Sequence, residues 1–414
     1  MRILVVGSGG REHALVWKLS QEAEVIAAPG NPGMDCECFD VSATDLVGME
    51  SLCQRLAPDL VVVGPEDPLV AGLGDRLRTA GFNVFGPNAD GAQLEASKAF
   101  SKEMMLRAGV PTASSGTFTD PEEALAYSSE RFEAGFQVVV KASGNALGKG
   151  VVICLTLDEA EDAIAEMMIE GAFGEAGRTV VIEDRLIGRE FSLLTIVSDG
   201  QFASLPVARD YKRALDGDRG PNTGGMGTYS PCDWISPRLL AETEARIVQP
   251  MVNQMVSDGI SYRGVLFSGI MVVNGSPMCL EYNVRFGDPE TQSVVRRLGF
   301  GFGEVLMAAA KGEPLPAVEA SSDAAVTVVV ASAGYPGSIK KGLPIQLEEM
   351  PEGVVVYHAG TKLSESQLVT NGGRVLAVSA IGKDLDEARE LAYRGVAQVR
   401  FDGAFFRKDI ASIG

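Results

Sequence analysis

The stretch Leu280-Glu-Tyr-Asn-Val-Arg-Phe-Gly-Asp-Pro-Glu290 decides how the rest of the chain is interpreted. Its first half has the pattern of a β-strand, in which successive side chains point to opposite faces. We expect Glu281, Asn283 and Arg285 on one face, with Leu280 and the apolar residues between them on the other. Carboxylate and amide oxygens suit magnesium, which binds few protein groups together with substrate phosphates, and a guanidinium clamps phosphate. The stretch therefore predicts a metal and phosphate site.

The residues just before this stretch predict the other half of a hairpin. Residues 264–273 are strand-like, and Asn274-Gly275 is a strong signal for a two-residue turn. A buried hairpin with outward polar residues is the alternative for a lone Glu-x-Asn. The Arg-Phe-Gly-Asp-Pro-Glu that follows favours a functional site.

Length and composition limit the possible functions. The 414 residues exceed one ordinary core, so we expect two or three domains. A net charge of −19 argues against a nucleic-acid partner, and no apolar run reaches the roughly 18 residues of a membrane span. Six scattered cysteines suggest reduced thiols in the cytoplasm. With only His13 and His358 present, catalysis should rest on positioning and electrostatics.

The first 90 or so residues alternate strands with helices, which predicts a parallel sheet with its ligand crevice at the carboxyl ends of the strands. Loops rich in turn formers, such as Gly7-Ser-Gly-Gly10 and Gly64-Pro-Glu66, follow these strands. Gly7-x-Gly9-x-x-Glu12 fails as a dinucleotide fingerprint because Glu12 replaces the third glycine. A phosphate or sugar contact at this helix start remains open.

Two longer helices are expected next, over residues 69–80 and 92–107. The second carries Lys98 and Lys102, and its default interpretation is a linker helix with solvated lysines. A glycine-rich segment, Lys141-Ala-Ser-Gly-Asn-Ala-Leu-Gly-Lys-Gly150, then lies between two strands. It is one residue too short for a P-loop and precedes a strand rather than a helix, so we expect a flap closing over phosphates.

The run Gly220-Pro-Asn-Thr-Gly-Gly-Met-Gly227 contains too many small residues for a core. It is either a disordered linker or backbone wrapped against a ligand, and the flanking strands favour the second. Its amides, with Lys212 and Arg213, would suit a phosphate or carboxylate. From about residue 324 a small α+β unit is expected.

Together these motifs resemble the ATP-grasp ligases, and within them the branch that joins glycine to 5-phosphoribosylamine in de novo purine biosynthesis. The resemblance runs nearly end to end. It implies an N-terminal parallel α/β domain over residues 1–100 and an ATP-grasp domain over 101–320, with its flap subdomain at about 112–185. A C-terminal α+β domain would cover 321–414. The implied reaction uses ATP and Mg²⁺, with Mn²⁺ as an alternative, and passes through glycyl phosphate to glycinamide ribonucleotide, ADP and phosphate.

The resemblance also implies roles for individual residues. Arg285 and Lys141 would be catalytic, and Glu281 and Asn283 would hold the metal. The implied nucleotide contacts are Lys98, Lys141, Ser143, Gly144, Gly148, Lys149, Gly150, Glu183, Leu186 and Glu190. The implied substrate contacts are Gly9, Gly10, Arg11, Glu12, Gly64, Pro65, Glu66, Asp210, Lys212, Arg213, Asn222, Thr223, Gly224, Gly225, Met226, Gly227, Arg285 and Asp288.

Some features depart from the family pattern. The flap has Asn145 and Leu147 where the family has Leu and Ala, and Tyr211 replaces a usual His. Residues 264–273 contain no carboxylate for a second metal. A ligase for other small substrates, or a nucleotide-binding regulator without turnover, remain the alternatives. We expect a monomer, with a dimer as the alternative.

Overall fold

The computed structural model describes residues 1–144 and 150–412. The chain begins with a parallel five-stranded sheet of order β3-β2-β1-β4-β5. Its apolar strands are buried under helices, as the alternating sequence predicts. The elements are β1 (Arg2–Gly7), α1 (Gly10–Leu19), β2 (Glu24–Pro29), β3 (Glu37–Cys38), α2 (Leu46–Leu56), β4 (Leu60–Val63), α3 (Glu66–Val70), α4 (Leu73–Thr79), β5 (Val84–Phe85) and α5 (Ala89–Ala96).

Each of the two longer helices expected from the sequence is in fact two helices. Gly72, at φ +90°, separates α3 from α4, because a left-handed residue cannot continue an α-helix. Ser97 separates α5 from α6 (Lys98–Ala108) and caps α6, its hydroxyl accepting from the Phe100 amide. The cap places Lys98 in the first turn of the new helix.

The segment predicted as the flap subdomain contains an antiparallel sheet of order β6-β9-β7-β8 with helices on it. It has an apolar core of its own, separate from the rest of the chain. Its elements are β6 (Ser115–Phe118), α7 (Pro121–Glu133), β7 (Val138–Ala142), β8 (Val151–Cys154), α8 (Leu157–Ile164), a π turn (Ala165–Ile169), a 3₁₀ turn (Gly174–Gly177) and β9 (Val180–Asp184).

The central sheet, in the region of residues 189–311, is antiparallel, with order β11-β10-β16-β17. The hairpin predicted at Asn274-Gly275 joins its last two strands. The elements of this region are β10 (Arg189–Ser198), β11 (Gln201–Ser204), β12 (Arg209–Asp210), β13 (Arg213–Leu215), β14 (Arg219–Asn222), β15 (Gly227–Ser230), α9 (Pro237–Thr243), a π turn (Glu244–Val248), α10 (Gln249–Ser257), β16 (Arg263–Val273), β17 (Ser276–Asn283), α11 (Glu290–Arg297) and α12 (Phe302–Lys311).

The C-terminal unit shares its sheet with the region before it. The five-stranded antiparallel sheet has the order β12-β15-β18-β23-β20, so two strands from residues 209–230 complete it. The remaining elements are β18 (Ala324–Ala331), β19 (Gln346–Leu347), β20 (Val354–His358), β21 (Thr361–Ser364), β22 (Gln367–Thr370), β23 (Arg374–Gly382), α13 (Leu385–Val396) and β24 (Val399–Arg400).

One continuous apolar core joins the N-terminal, central and C-terminal sheets, with Val61, Leu193 and Val378 among its members. The predicted fold class, a multidomain α/β and α+β protein with a parallel N-terminal sheet, is confirmed. The expected boundaries at residues 100 and 320 stay a prediction. Across the described residues, every helix is too short or too polar to span a lipid bilayer.

Candidate active site

A cleft of about 730 Å³ lies where the N-terminal unit, the flap, the central hairpin and the C-terminal unit meet. Its lining is dense in charge. Among the described residues, seven cations line it: Arg11, Lys98, Lys102, Lys141, Lys212, Arg285 and Arg374. Eight carboxylates stand beside them: Glu66, Asp67, Glu95, Glu183, Asp210, Glu281, Asp288 and Glu290. Such a cleft can bind a highly charged ligand, because charges of both signs are available to pair with it.

A β-bulge in β17 shapes the hairpin at the cleft. Gly269 pairs with Glu281, but Ile270 pairs with Cys279, so Leu280 is an extra residue. The prediction that Leu280 lies on the opposite face from Glu281 is wrong, because the bulge interrupts the alternation and Leu280 lines the cleft. Glu281 and Asn283 do share the cleft face, as predicted.

Glu281 is held as a carboxylate by the cations around it. Burial alone would raise the pKa of Glu281, but Lys212, Lys141 and Lys98 outweigh burial and lower it. The distance from Lys212 Nζ to Glu281 Oε1 is 3.7 Å, too long for a hydrogen bond. Asp210 and Glu281 in turn raise the pKa of Lys212, against the effect of burial. An anionic oxygen is thus presented to the cleft.

Two lysines share the buried carboxylate of Glu183. Lys141 Nζ lies 2.9 Å from Glu183 Oε2, and Lys102 Nζ lies 3.0 Å from Oε1. Lys102 also donates to the Thr112 hydroxyl at 2.7 Å. The expectation of a solvated lysine is wrong for Lys102, which is buried because one face of α6 turns toward the cleft. Lys98, on the same face, donates to the main-chain oxygen of Gly144 at 3.4 Å.

Arg285 lies between two carboxylates of the N-terminal unit. Its Nη2 is 2.8 Å from Glu95 Oε1 and its Nε is 3.4 Å from Glu66 Oε2. Burial would lower the pKa of Arg285, but these carboxylates raise it, so the guanidinium stays charged. The two contacts fix the side chain before any ligand arrives.

Glu290, at the start of α11, has a different environment from Glu281. Its Oε1 accepts from the Ser192 hydroxyl at 3.0 Å, and the side chain is buried. Burial and the nearby Asp210 raise the pKa of Glu290 to about 7. This carboxyl can therefore take up or release a proton near neutral pH, which Glu281 cannot.

The glycine-rich loop over residues 220–227 is tied down by its own hydrogen bonds. The Thr223 amide donates to the Lys212 oxygen, the Gly224 amide to the Tyr335 hydroxyl, and the Gly225 amide to the Thr223 hydroxyl. These three amides already have partners, so an anion would have to displace them to use them. The side chains of Asn222 and Thr223 line the cleft.

Family models match almost the whole chain. The N domain of phosphoribosylglycinamide synthetase matches residues 1–95, its ATP-grasp (A) domain residues 96–291, and its C domain residues 325–413. The chain belongs to the phosphoribosylglycinamide synthetase family.

Named relatives agree with this family. A "Phosphoribosylamine--glycine ligase" of Xanthomonas campestris pv. campestris is 45% identical over 99% of this chain and 97% of its own length. The "Trifunctional purine biosynthetic protein adenosine-3" of Homo sapiens is also 45% identical, over 99% of this chain, which spans 41% of that larger protein.

Solved structures extend the likeness to the fold. A phosphoribosylamine--glycine ligase from Thermotoga maritima superposes with a TM-score of 0.87 at 35% identity, covering 99% of this chain and 100% of that one. The biotin carboxylase domain of a Hydrogenobacter thermophilus 2-oxoglutarate carboxylase, in complex with MgADP, gives a TM-score of 0.73 at 17% identity, covering 98% and 91%. The second likeness shows the ATP-grasp fold alone.

Many of the residues predicted from the family resemblance line the cleft: Arg11, Glu66, Lys98, Lys141, Gly150, Glu183, Asp210, Lys212, Asn222, Thr223, Gly224, Glu281, Asn283, Arg285 and Asp288. Others lie outside that lining: Gly9, Gly10, Glu12, Gly64, Pro65, Ser143, Gly144, Leu186, Glu190, Arg213, Gly225, Met226 and Gly227. Gly148 and Lys149, with the tip of the predicted flap, fall outside the described residues. All of these roles stay predictions.

The N-terminal glycines make room for Glu12. A Cβ atom on Gly64 would overlap Glu12 Oε1, and one on Gly7 would lie 2.5 Å from Glu12 Cγ. The Glu12 carboxylate accepts from the Gly9 amide at 2.6 Å and pairs with Arg11. An anion therefore already occupies the start of α1, and Arg11 is the residue of this motif that reaches the cleft.

Several charged or polar residues of the cleft were not predicted from the sequence, among them Glu95, Lys102, Glu290, Tyr335 and Arg374. Lys102 could have been found, because it lies four positions after Lys98 and so on the same helix face. Glu290 is the last residue of the stretch over residues 280–290, but neither the sequence pattern nor the family resemblance assigned it a role. Tyr335 and Arg374 reach the cleft only because the C-terminal unit docks there.

The residues present fit a magnesium ion bound partly by substrate phosphate. Within residues 1–144 and 150–412, no cluster of three or more His, Cys, Asp or Glu side chains could hold a metal alone. Glu281 and the amide oxygen of Asn283 offer two hard oxygen donors on one face, and magnesium commonly binds one or two protein groups plus phosphates. The donor set suits a metal that arrives with ATP.

Proposed function

We propose that this chain joins glycine to 5-phosphoribosylamine at the expense of ATP, giving glycinamide ribonucleotide, ADP and phosphate. The observation that carries the proposal is that Glu281, Asn283 and Arg285 line one cleft together with Lys98 and Lys141. The end-to-end family match supports the same activity. A non-catalytic regulator is not favoured, because the residues to which we assign phosphoryl alignment, Lys98, Lys141 and Arg285, all line the cleft.

The chemistry has two steps. The glycine carboxylate is a poor electrophile, so it first attacks the γ-phosphorus of ATP, releasing ADP and forming glycyl phosphate. Such a transfer depends on alignment and charge neutralisation. We assign this work to Lys98 and Lys141 on the triphosphate and to Arg285 on the transferring group. Glu281 and Asn283 would hold magnesium, which neutralises the phosphate charge when bound.

In the second step the amine of 5-phosphoribosylamine attacks the glycyl carbonyl carbon, a carbon–nitrogen bond forms and phosphate leaves. The attacking nitrogen must lose a proton. We assign that proton to Glu290, whose pKa is raised to about 7 and which lines the same cleft. Asn222, Lys212 and Arg374, which line the same cleft, would hold the phosphoribosyl group.

Release of ADP with glycine and phosphoribosylamine supplied separately and together tests this proposal. Rapid, sustained release should require both. Release with other carboxylate and amine pairs, but not with these, would favour another ATP-grasp ligase, and nucleotide binding without release would favour a regulator. Asn222→Ala should raise the KM for a substrate and leave ATP affinity nearly intact, whereas loss of nucleotide binding alone would assign this loop to ATP.

Three finer features belong to the same proposal. Mg²⁺ is the expected ion, with Mn²⁺ able to replace it, because both accept oxygen ligands. We place the enzyme in the cytoplasm as a monomer, with a dimer as the alternative to be tested by light scattering.

A further inference from the structure

The Glu95 carboxylate contacts three consecutive residues at the end of β17 and just after it: Asn283, Val284 and Arg285. Its Oε1 lies 2.8 Å from Arg285 Nη2, and its Oε2 accepts from the Val284 amide at 2.8 Å. The Asn283 amide nitrogen lies 3.2 Å from the same Oε1 when the amide is turned to satisfy its neighbours. Glu95 is therefore attached to the end of β17 on both sides of Val284.

The contact with Asn283 fixes which end of the amide faces the cleft. Burial raises the pKa of Glu95, but its Oε1 pairs with the Arg285 guanidinium and its Oε2 accepts from the Val284 amide, so both oxygens act as acceptors. The second neighbour of the Asn283 amide, the main-chain oxygen of Tyr282 at 3.3 Å, can also only accept. Both neighbours therefore require the NH₂ group, and the amide oxygen is left on the opposite side. An amide turned the other way would aim two N–H donors at a cation.

We propose that Glu95 is a positioning residue that fixes the amide of Asn283 with its oxygen toward the metal ion, and that holds Arg285 in register with it. The proposal rests on the assignment of Asn283 as a metal ligand in the proposed function. Groups that orient a metal ligand commonly matter about 10- to 100-fold for metal affinity.

The location of Glu95 makes this a link between units. It lies near the end of α5, and the N-domain family model ends at this residue. The hairpin that carries Asn283 lies in the ATP-grasp region. The N-terminal unit thus contributes to the proposed metal site through one partly buried side chain, although it supplies no proposed metal ligand.

The test is Mn²⁺ affinity of the enzyme–ADP complex, measured by electron paramagnetic resonance without glycine or phosphoribosylamine. Glu95→Gln is made in the wild-type background and in an Asn283→Asp background. In wild type, the introduced glutamine can donate to the Asn283 oxygen and turn it from the metal, so Mn²⁺ binding should weaken about 10- to 100-fold. In the Asn283→Asp background, the glutamine supplies a donor to the new aspartate and removes repulsion between two carboxylates. The same substitution should there strengthen Mn²⁺ binding.

This reversal of sign separates positioning from simple charge removal. Loss of a negative charge near the ion would weaken Mn²⁺ binding in both backgrounds, and that result would overturn the proposal. Unchanged affinity in the wild-type background would also overturn it. If Glu95→Gln alone fails to fold, the Mn²⁺ affinities of Asn283→Asp and of the double variant are compared. Stronger binding by the double variant supports the proposal, and weaker binding overturns it.

Glu24→Gln is the matched control, because Glu24 also pairs with an arginine, Arg2 at 2.8 Å, but on an exposed surface. It should leave Mn²⁺ affinity unchanged. The readout is independent of turnover. Suppose that the variants show the expected changes in Mn²⁺ affinity but the wild-type enzyme has no ligase activity. That result would overturn the proposed function and leave the role of Glu95 standing.

Discussion

Arg374 of the C-terminal unit holds Asp288 by two contacts: its Nη1 donates to the Asp288 main-chain oxygen at 2.7 Å, and its Nη2 lies 3.1 Å from Oδ2. Arg374 Nη1 also donates to the main-chain oxygen of Gly224. One guanidinium thus joins the C-terminal sheet to the stretch over residues 280–290 and to the glycine-rich loop. Substrate binding on that side of the cleft should depend on it.

Arg374→Ala should raise the KM for 5-phosphoribosylamine about ten-fold or more, because a hydrogen bond to a charged group contributes about 1.5–3 kcal/mol. ATP affinity should stay unchanged, since Arg374 contacts Gly224 and Asp288, which we assign to the substrate rather than to the nucleotide. Steady-state kinetics with each substrate varied separately is the measurement. Arg400→Ala, which removes an exposed pair with Glu348, is the control. An equal rise in the KM for ATP would contradict the assignment.

Glu281→Gln should reduce turnover by orders of magnitude while the fold survives. The substitution keeps the shape but removes the anionic ligand that we propose for the metal, and the attraction of a carboxylate for a divalent ion at about 2 Å is large even when screened. Activity across a magnesium titration, beside a melting curve of the protein without ligands, is the measurement. Ordinary magnesium dependence at normal activity would place the metal elsewhere.

Glu183→Gln, unlike Glu281→Gln, should lower the free energy of unfolding of the protein. Glu183 is buried between Lys102 and Lys141, and its removal leaves two buried ammonium groups without their shared partner. Breaking a buried ion pair from one side costs about 3–5 kcal/mol. Denaturant unfolding should show that loss for Glu183→Gln and less than about 1 kcal/mol for Glu281→Gln. Similar losses in both variants would mean that Glu281 also has a structural role.

The two histidines should make the protein less stable in mild acid. The His358 amide donates to His13 Nδ1 at 2.8 Å, and burial lowers the pKa of His13 to about 3 and that of His358 to about 4. An unfolded histidine titrates near 6.5, so below that pH the unfolded chain binds protons that the folded protein excludes. Each histidine then lowers the free energy of unfolding by about 2 kcal/mol at about pH 5.

His13→Gln tests this pH dependence, because glutamine can still accept from the His358 amide. Denaturant unfolding at about pH 7 and about pH 5 should show a smaller loss for the variant than for wild type. The other titrating groups are common to both proteins and cancel in the comparison. An equal loss in the two proteins would show that His13 is not excluded from protonation.

Local patterns predicted the elements that their own residues determine. The buried strands of the N-terminal sheet, the turn at Asn274-Gly275 and the shared face of Glu281 and Asn283 follow from alternation and turn chemistry. The bulge at Leu280 was not predictable, because it depends on the register with the neighbouring strand.

Contacts distant in sequence account for what the sequence did not predict. Arg374 reaches Asp288 across 86 positions, and Glu95 reaches Val284 across 189. The N-terminal glycines left a phosphate or sugar contact open, which stays a prediction. In the structure they make room for Glu12, whose carboxylate is itself a suitable anion for a helix start. A pattern of glycines indicates close approach but does not identify the approaching group.

The near balance of charge in the cleft affects the rate at which ATP arrives. The chain carries 55 acidic and 36 basic residues. The described cleft lining holds eight acidic and seven basic residues, so most of the excess negative charge lies elsewhere on the protein. At low ionic strength this outer charge repels an anionic nucleotide over about 30 Å, and at 0.1 M salt over only about 10 Å. Moderate salt should therefore accelerate nucleotide capture, the reverse of the dependence shown by enzymes that steer anions with a positive surface.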